Sequence, residues 1–157
     1  MADKKEANFS IEEKLKYKIP YKWKIQSFNR DKTKASCVAY IDARDVMDLL
    51  DKAVGFENWK DEYRYENNQW LCGLSIHNKN GEWVTKWDTG TAGDFEAEKS
   101  AISDSFKRAG VKWGIGRFLY DLKIKWVDIK NKQPVDPNGK RIYDLTEYFK
   151  PKKKLKS

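Results

Sequence analysis

The amino-acid sequence predicts an α+β fold, an antiparallel sheet with a long basic helix packed on it. Five short segments alternate apolar and polar residues between turn residues, which is typical of strands. Two further segments repeat apolar residues at helical spacing. The order strand-strand-helix-strand-strand-strand-helix favours a meander with its helices on one side.

The composition allows one compact core and favours a polyanionic partner. The chain has 157 residues, of which 39% are hydrophobic and 14% aromatic, and its formal charge is +8. Residues 99–125 carry seven cations against two acids, whereas residues 42–66 carry eight acids against four bases. Cys37 and Cys72 lie far apart in strand-like patterns, so they are predicted to be reduced core residues without a disulfide.

Four parts are predicted along the chain. Residues 1–20 form a leader with a short helix, and residues 20–130 form the core domain. Residues 131–149 form a C-terminal extension with a short helix or strand, and residues 150–157, with five lysines, form a disordered basic tail. The polar N-terminus and the lack of a long apolar run predict a cytoplasmic protein that does not enter a membrane.

The first predicted elements are a capped helix and a hairpin. Ser10 and Glu13 form a capping-box pattern that opens the helix. A strand follows over residues 22–28, and the polar residues 29–33 form the tip of a hairpin with the strand 35–41. The two faces of the first strand are predicted to hold Trp23, Ile25 and Ser27 on one side, and Lys22, Lys24 and Gln26 on the other.

A second helix and three strands come next. Asp42 can cap the helix and Gly55 can end it. Its core face holds Val46, Leu49, Leu50 and Ala53. The three strands are predicted over residues 59–65, 69–77 and 82–89. Asn80-Gly81 predicts a tight hairpin between the last two strands.

A long helix carries the functional prediction. Asp94 can cap it, and it should run from Phe95 to Trp113, before the glycines at 114 and 116. Its core stripe is predicted to hold Phe95, Ile102, Phe106, Ala109 and Trp113. Beyond the helix, residues 122–129 alternate as an extra strand.

Four cations of this helix are candidates for contact with a phosphate backbone. Arg108 and Lys112 fall opposite the core stripe, with Lys107 at its flank, and an ordinary solvated face is the alternative. Lys99 falls beside the stripe on an ideal wheel. Its ammonium must therefore reach past the stripe, pair with an acid, or lie where the helix start bends away from the core.

Catalytic and cofactor sites find little support. The one histidine, His77, cannot build a multi-histidine metal site. A metal nuclease could use Asp94, Glu96, Glu98 and Lys99. Helical spacing, however, turns Glu96 and Glu98 to different faces. We therefore interpret these acids as first-turn residues that complement the helix dipole. Lys99-Ser100 lacks the glycines of a phosphate loop. We therefore predict no enzyme, cofactor or metal. Most of the aromatic residues lie at alternating strand positions and are assigned to the core, and none is predicted as a base-stacking platform.

Two blocks of sequence resemble the Rad fifty-two family of recombination proteins. The first is Tyr40-Ile41-Asp42-Ala43-Arg44-Asp45-Val46, continued by Gly55-Phe56-Glu57-Asn58-Trp59. The second is Glu98-Lys99-Ser100-Ala101-Ile102-Ser103-Asp104-Ser105-Phe106-Lys107-Arg108-Ala109, followed by Trp113-Gly114 and Gly116-Arg117-Phe118-Leu119-Tyr120-Asp121. Their order and spacing match the family pattern, and the resemblance covers residues 20–121.

The resemblance implies ATP-independent binding of single-stranded DNA and annealing of complementary strands in recombination and repair. It also implies an oligomeric ring and a recombinase of the small bacteriophage or mobile-element type in a bacterial host. A phage exonuclease or a host single-strand binding protein is a candidate partner. The alternatives are a single-strand coating protein, a mediator that loads a recombinase, and the metal nuclease.

Carried over by position, the family's groove cations match Lys107, Arg108 and Lys99. Its hairpin cation matches Arg30, with Lys24 as the alternative. Its next groove arginine corresponds to Val111, beside Lys112. The loop before the long helix is shorter here, so the family's secondary DNA site is not placed. The predicted DNA-binding residues are Lys24, Arg30, Lys99, Lys107, Arg108, Lys112 and Arg117.

Overall fold

The structure, a computed structural model, describes residues 8–91 and 97–151. Its strands are β1 (Lys22–Phe28), β2 (Lys34–Tyr40), β3 (Trp59–Glu66), β4 (Gln69–His77), β5 (Trp83–Gly90), β6 (Lys125–Lys130) and β7 (Gln133–Val135). Its α-helices are α1 (Ile11–Leu15), α2 (Ala43–Val54), α3 (Ala97–Lys112) and α4 (Leu145–Tyr148), and a 3₁₀-helix spans Arg117–Asp121.

The predicted α+β class is confirmed, but its strands do not form one sheet. In the described part of the chain, β1-β2-β6-β7 form one antiparallel sheet and β3-β4-β5 form another. The reason is that β2 takes β6 as its second neighbour, although β6 lies far along the chain. Alternation of apolar and polar residues indicates that a segment is a strand, but it does not specify which other strand pairs with it.

The chain divides into two compact units. Among the described residues, unit 1 contains 8–19, 42–91 and 97–118, and unit 2 contains 20–41 and 119–151. The predicted core of residues 20–130 therefore contributes to both units. Segment 131–149 supplies β7 and α4 to unit 2. The part of it for which a helix or a strand was predicted, residues 142–149, contains the short helix α4.

Unit 1 is built on the β3-β4-β5 meander. Asn67 and Asn68, at φ 51° and 62°, form the two-residue turn between β3 and β4, a conformation that Asn tolerates. The hairpin predicted at Asn80-Gly81 is confirmed, although its turn spans residues 78–82. The Asn78 carboxamide closes this turn, since its Oδ1 accepts hydrogen bonds from the backbone of Asn80 and Glu82, both at 3.0 Å.

The predicted caps and core face of the early helices are confirmed. The Asp42 side chain accepts from the Asp45 backbone and the Asp45 side chain accepts from the Asp42 backbone, which completes a capping box on α2. Gly55, at φ 91°, follows the last turn. Each of the four predicted core residues of α2 is buried. In α1, Ser10 accepts from the Glu13 backbone at 3.1 Å.

Unit 2 packs one face of its sheet against α4. Its core cluster contains Trp23, Ala35, Cys37, Val127 and Ile142, with Leu145 and Phe149 packed against it. The prediction that Ser27 shares a face with Trp23 and Ile25 is wrong. A β-bulge between Ile25 and Ser27 inserts one residue, so Ser27 pairs with Ser36 on the opposite face. The predicted extra strand appears as β6.

Cys37 and Cys72 are free and buried, as predicted. Burial raises the pKa of the Cys37 thiol and raises the pKa of Cys72 to about 12. Thiolates, which are the reactive form, are therefore suppressed at both positions. As a separate finding, no helix among residues 8–91 and 97–151 is long and apolar enough to cross a membrane.

Candidate nucleic-acid interface

The long helix α3 lies directly against the end of β5. A Cβ at Gly90 would be 2.0 Å from the Ala101 carbonyl oxygen and 2.6 Å from the Ser105 backbone nitrogen. Only a residue without a Cβ allows this approach. Asp104 adds a second tie, because its Oδ2 accepts from the Thr91 backbone at 2.8 Å. The rotation of α3 on the sheet is therefore fixed by backbone contacts.

This packing divides α3 into a buried and an exposed side. The residues buried among those described are Ala101, Ser105, Phe106, Ala109 and Gly110. Of the predicted core stripe, Phe106 and Ala109 are thus confirmed as buried, and Ile102 and Trp113 are half-buried. Phe95 and the predicted cap Asp94 lie outside the described residues. Arg108 and Lys112 are exposed and Lys107 is half-buried.

Lys99 is exposed together with Ala97, Glu98 and Ser100, which form the first described turn of α3. Every residue of the turn that contains Lys99 therefore lies at the surface.

Arg108 is oriented by an acid on the neighbouring strand. Its Nε lies 3.4 Å from Oδ1 of Asp88 on β5, and the same oxygen accepts from the Thr89 backbone at 2.7 Å. The Arg108 side chain is 50% exposed and that of Asp88 is 20% exposed. The contact uses Nε, and a guanidinium has four further N–H donors for an anionic ligand.

Three cations meet at the C-terminal end of α3. The Arg117 Nε donates to the Val111 carbonyl at 2.7 Å, and a terminal nitrogen donates to the Lys112 carbonyl at 2.8 Å. Lys112 Nζ donates to the Trp87 carbonyl, and Lys86 Nζ lies 3.4 Å from the Lys112 carbonyl. Cations satisfy the last carbonyls of a helix and complement its negative end.

Sequence reasoning missed Lys86. Its ammonium lies 4.6 Å from the centre of the Trp113 ring, a cation–π contact, in addition to its contact with the helix end. The signal was available in the alternation of β5, because Lys86 and Asp88 lie on the face opposite Trp87. What was lacking was the knowledge that α3 covers the face of β5 that holds Lys86.

The remaining predicted residues belong to unit 2. Lys24 is exposed on β1, with its Nζ 4.8 Å from the centre of the Tyr40 ring on β2. Arg30 is exposed at the hairpin tip, which Asn29 holds by accepting from the Thr33 and Lys34 backbones at 2.8 and 2.9 Å. The structure therefore gathers five of the seven predicted residues on or beside α3 in unit 1 and places two on the hairpin of unit 2.

The possible metal ligands of the described residues do not cluster. No group of three or more His, Cys, Asp or Glu side chains among them could hold a metal ion. Of the acids considered for a nuclease, Glu98 is exposed, and Asp94 and Glu96 lie outside the described residues. His77 is half-buried on β4, with its ring centre 5.1 Å from that of Trp83.

Most of the chain matches known proteins in sequence. Residues 9–138 match a model of a protein family described as Rad52/22 family double-strand break repair protein. The chain is 36% identical over 135 residues to the single-stranded DNA-binding protein DdrA of Deinococcus radiodurans. This alignment covers 82% of the chain and 61% of the relative. It is also 36% identical over 138 residues to DdrA of Deinococcus deserti, covering 82% and 63%. The chain thus spans about three fifths of the length of these relatives.

Proposed function

We propose that this chain, which belongs to the Rad52/22 family of double-strand break repair proteins, binds single-stranded DNA along α3 and anneals complementary strands. The observation that carries the proposal is the set of four cations distributed along α3, joined at the C-terminal end of the helix by Lys86 and Arg117. The name of the DdrA relatives supports the same ligand. Annealing is proposed to need neither ATP nor a metal, and to occur in the cytoplasm of a bacterial host.

The chemistry of α3 suits a phosphate backbone better than base edges. Lysine and arginine neutralise phosphates and release counterions, which gives affinity without reading sequence. The nitrogen atoms of Arg108, Lys112 and Arg117 contact Asp88, Trp87 and the helix end, which orders these side chains before the ligand arrives. A strand bound by its phosphates keeps its bases available for pairing with a second strand.

The cations at the end of α3 also compensate for the positive charge that is absent at Val111. The family pattern places a cation there, whereas here the Arg117 guanidinium lies 2.7 Å from the Val111 carbonyl. Lys112 and Lys86 lie at the same helix end. We assign the missing positive charge to these three residues together. In unit 2, Lys24 and Arg30 are proposed as further phosphate contacts.

The test replaces Lys107 and Arg108 with alanine. Neither side chain belongs to the core cluster of α3, so the variant should fold, as circular dichroism and urea unfolding can verify. Its affinity for a fluorescent oligonucleotide, measured by anisotropy, should fall at least tenfold at low salt. The slope of log affinity against log salt should decrease by about 1.4, because two single-strand phosphate contacts are lost.

A matched control removes the same charge elsewhere. The double variant Lys79→Ala, Lys140→Ala takes two exposed lysines from loops distant in sequence from α3. It should bind nearly as tightly as the wild type. Equal losses in both double variants would mean that net charge, and not the α3 surface, governs binding.

Annealing is measured with two complementary oligonucleotides, one carrying a fluorophore and the other a quencher, without ATP or magnesium. An annealing protein should accelerate quenching, whereas a coating protein should bind and slow pairing. Added magnesium should leave both strands intact; their degradation would instead identify a nuclease. Native mass spectrometry with and without DNA tests the proposed homo-oligomeric ring.

A further inference from the structure

The unit 2 sheet has a face that α4 does not cover. Strand pairing places Ser27, Ser36 and Trp126 side by side across β1, β2 and β6, on the face opposite the core cluster. Tyr40 and Lys24 lie on the same face at the other end of β2 and β1. We call this surface, defined by Lys22, Lys24, Lys34, Tyr40 and Trp126, the basic-aromatic face.

Trp126 is an exposed aromatic residue of the basic-aromatic face. Its side chain is 58% exposed, an unusual state for an indole, whose burial is strongly favourable. Its neighbour directly across β2 is the small Ser36. The Ser36 hydroxyl is engaged with that of Ser27 at 2.9 Å. The indole therefore lies beside two small side chains whose hydroxyl groups are hydrogen-bonded to each other.

The basic-aromatic face carries more cations than acids. Lys22, Lys24 and Lys34 share the basic-aromatic face, and the acid on the same face is Asp128, the partner of Lys34 in the β2–β6 pairing. Lys24 already lies over the Tyr40 ring, with Nζ 4.8 Å from its centre. A face that combines cations with an accessible aromatic ring matches the requirements of a single nucleic-acid strand, namely cations for phosphates and a π-surface for a base.

We propose that Trp126 stacks on a base of single-stranded DNA while lysines of the basic-aromatic face contact its phosphates. This inference rests on the proposed function, which supplies the single strand, and adds a base contact to a binding mode otherwise made of charges. Stacking on an indole tolerates any base, so binding would remain independent of sequence.

The experiment varies the ring and the ligand together. Trp126→Ala should weaken binding of an oligo-dT about 5- to 50-fold. Trp126→Phe should retain most of the affinity, and Trp126→Leu, which keeps apolar bulk without a π-face, should behave like the alanine variant. An abasic oligomer of equal length, which has phosphates but no bases, should bind the wild type and Trp126→Ala alike. Tyr143→Ala, an aromatic residue of the same unit that is 83% exposed, should change neither affinity.

The outcomes separate this inference from the proposed function. If Trp126→Ala binds oligo-dT like the wild type while the Lys107, Arg108 double variant is impaired, the stacking role is wrong and the α3 site stands. A loss of equal size on both oligomers, or full affinity in Trp126→Leu, also overturns stacking, since the ring would then serve the fold or a protein contact. If the double variant binds normally, the proposed function itself fails.

Discussion

The Nε atom of Arg108 on α3 lies 3.4 Å from Oδ1 of Asp88 on β5, so the exposed arginine of the proposed interface is held by a less exposed acid. Such a partly exposed ion pair adds little stability, at most about 1 kcal/mol. The ion pair instead orients the Arg108 side chain, and it places the negative charge of Asp88 beside the proposed path of the phosphates.

Asp88→Asn should therefore tighten binding of single-stranded DNA. The amide keeps an oxygen that can accept from Arg108 and from the Thr89 backbone, while the repulsion between the carboxylate and the phosphates disappears. We expect affinity to rise about two- to fivefold at low salt, with a smaller gain at high salt because screening weakens the removed repulsion. Asp48→Asn, the same change on the exposed side of α2, should have little effect. Weaker binding of Asp88→Asn would show that the charge of Asp88 is needed to position Arg108.

Arg117→Gln should destabilise the fold as well as reduce affinity, because Arg117 donates two hydrogen bonds to the last carbonyls of α3. The loss of two partly exposed, charge-assisted bonds should lower the free energy of unfolding by about 1–2 kcal/mol in urea titrations. Arg117→Lys should recover only part of this, since an ammonium cannot reproduce the fork of the guanidinium. Lys79→Gln serves as the control, and an unchanged midpoint for Arg117→Gln would contradict the capping role.

Gly90→Ala should be the most damaging of these substitutions. The new methyl group would lie 2.0 Å from the Ala101 carbonyl oxygen, so α3 would have to move away from β5. Overpacking of this kind costs about 1–3 kcal/mol or more. Thermal unfolding should show a clear decrease in Tm. Gly81→Asn, at a turn with φ 81° and no atom within 4 Å of the added Cβ, should be tolerated. An equal decrease in both variants would contradict the close packing.

The two thiols should be inert in the folded protein. Burial raises the pKa of Cys37 and raises that of Cys72 to about 12, so almost no thiolate exists at pH 8. An aromatic disulfide reagent should modify neither cysteine rapidly in buffer and both in guanidinium chloride. Because the unfolded thiols ionise near 9 while the folded thiol of Cys72 does not, folding stability should decrease as the pH rises above about 9. Rapid modification of the native protein would contradict this.

Local signals carried most of the secondary structure. The Asp42 cap, the four-residue core face and Gly55 predicted α2 because each depends on residues within a few positions of one another. The same holds for the exposed side of α3, where helical spacing alone separates Arg108 and Lys112 from Phe106. The hairpin over residues 29–33 was predictable for the same reason.

Contacts between distant segments decided the rest. The bulge that turns Ser27 towards Ser36 is defined by strand pairing and leaves no trace in simple alternation. Lys86 became a candidate only when α3 was found to lie on its face of β5. The capping role of Arg117 needed the turn at Gly114, which has φ 98°, to bring the guanidinium back to the helix end.

The sequence by itself determined the α+β class, the elements and the concentration of cations on α3, because periodicity and charge are properties of neighbouring residues. Only the tertiary structure decided that the strands form two sheets, that Arg117 and Lys86 contact the last carbonyls of α3, and that Trp126 lies exposed on the basic-aromatic face. The physical reason is that hydrogen-bond partners across strands and at helix ends join residues far apart in the chain, and side-chain spacing along one segment does not specify which distant segment will satisfy them.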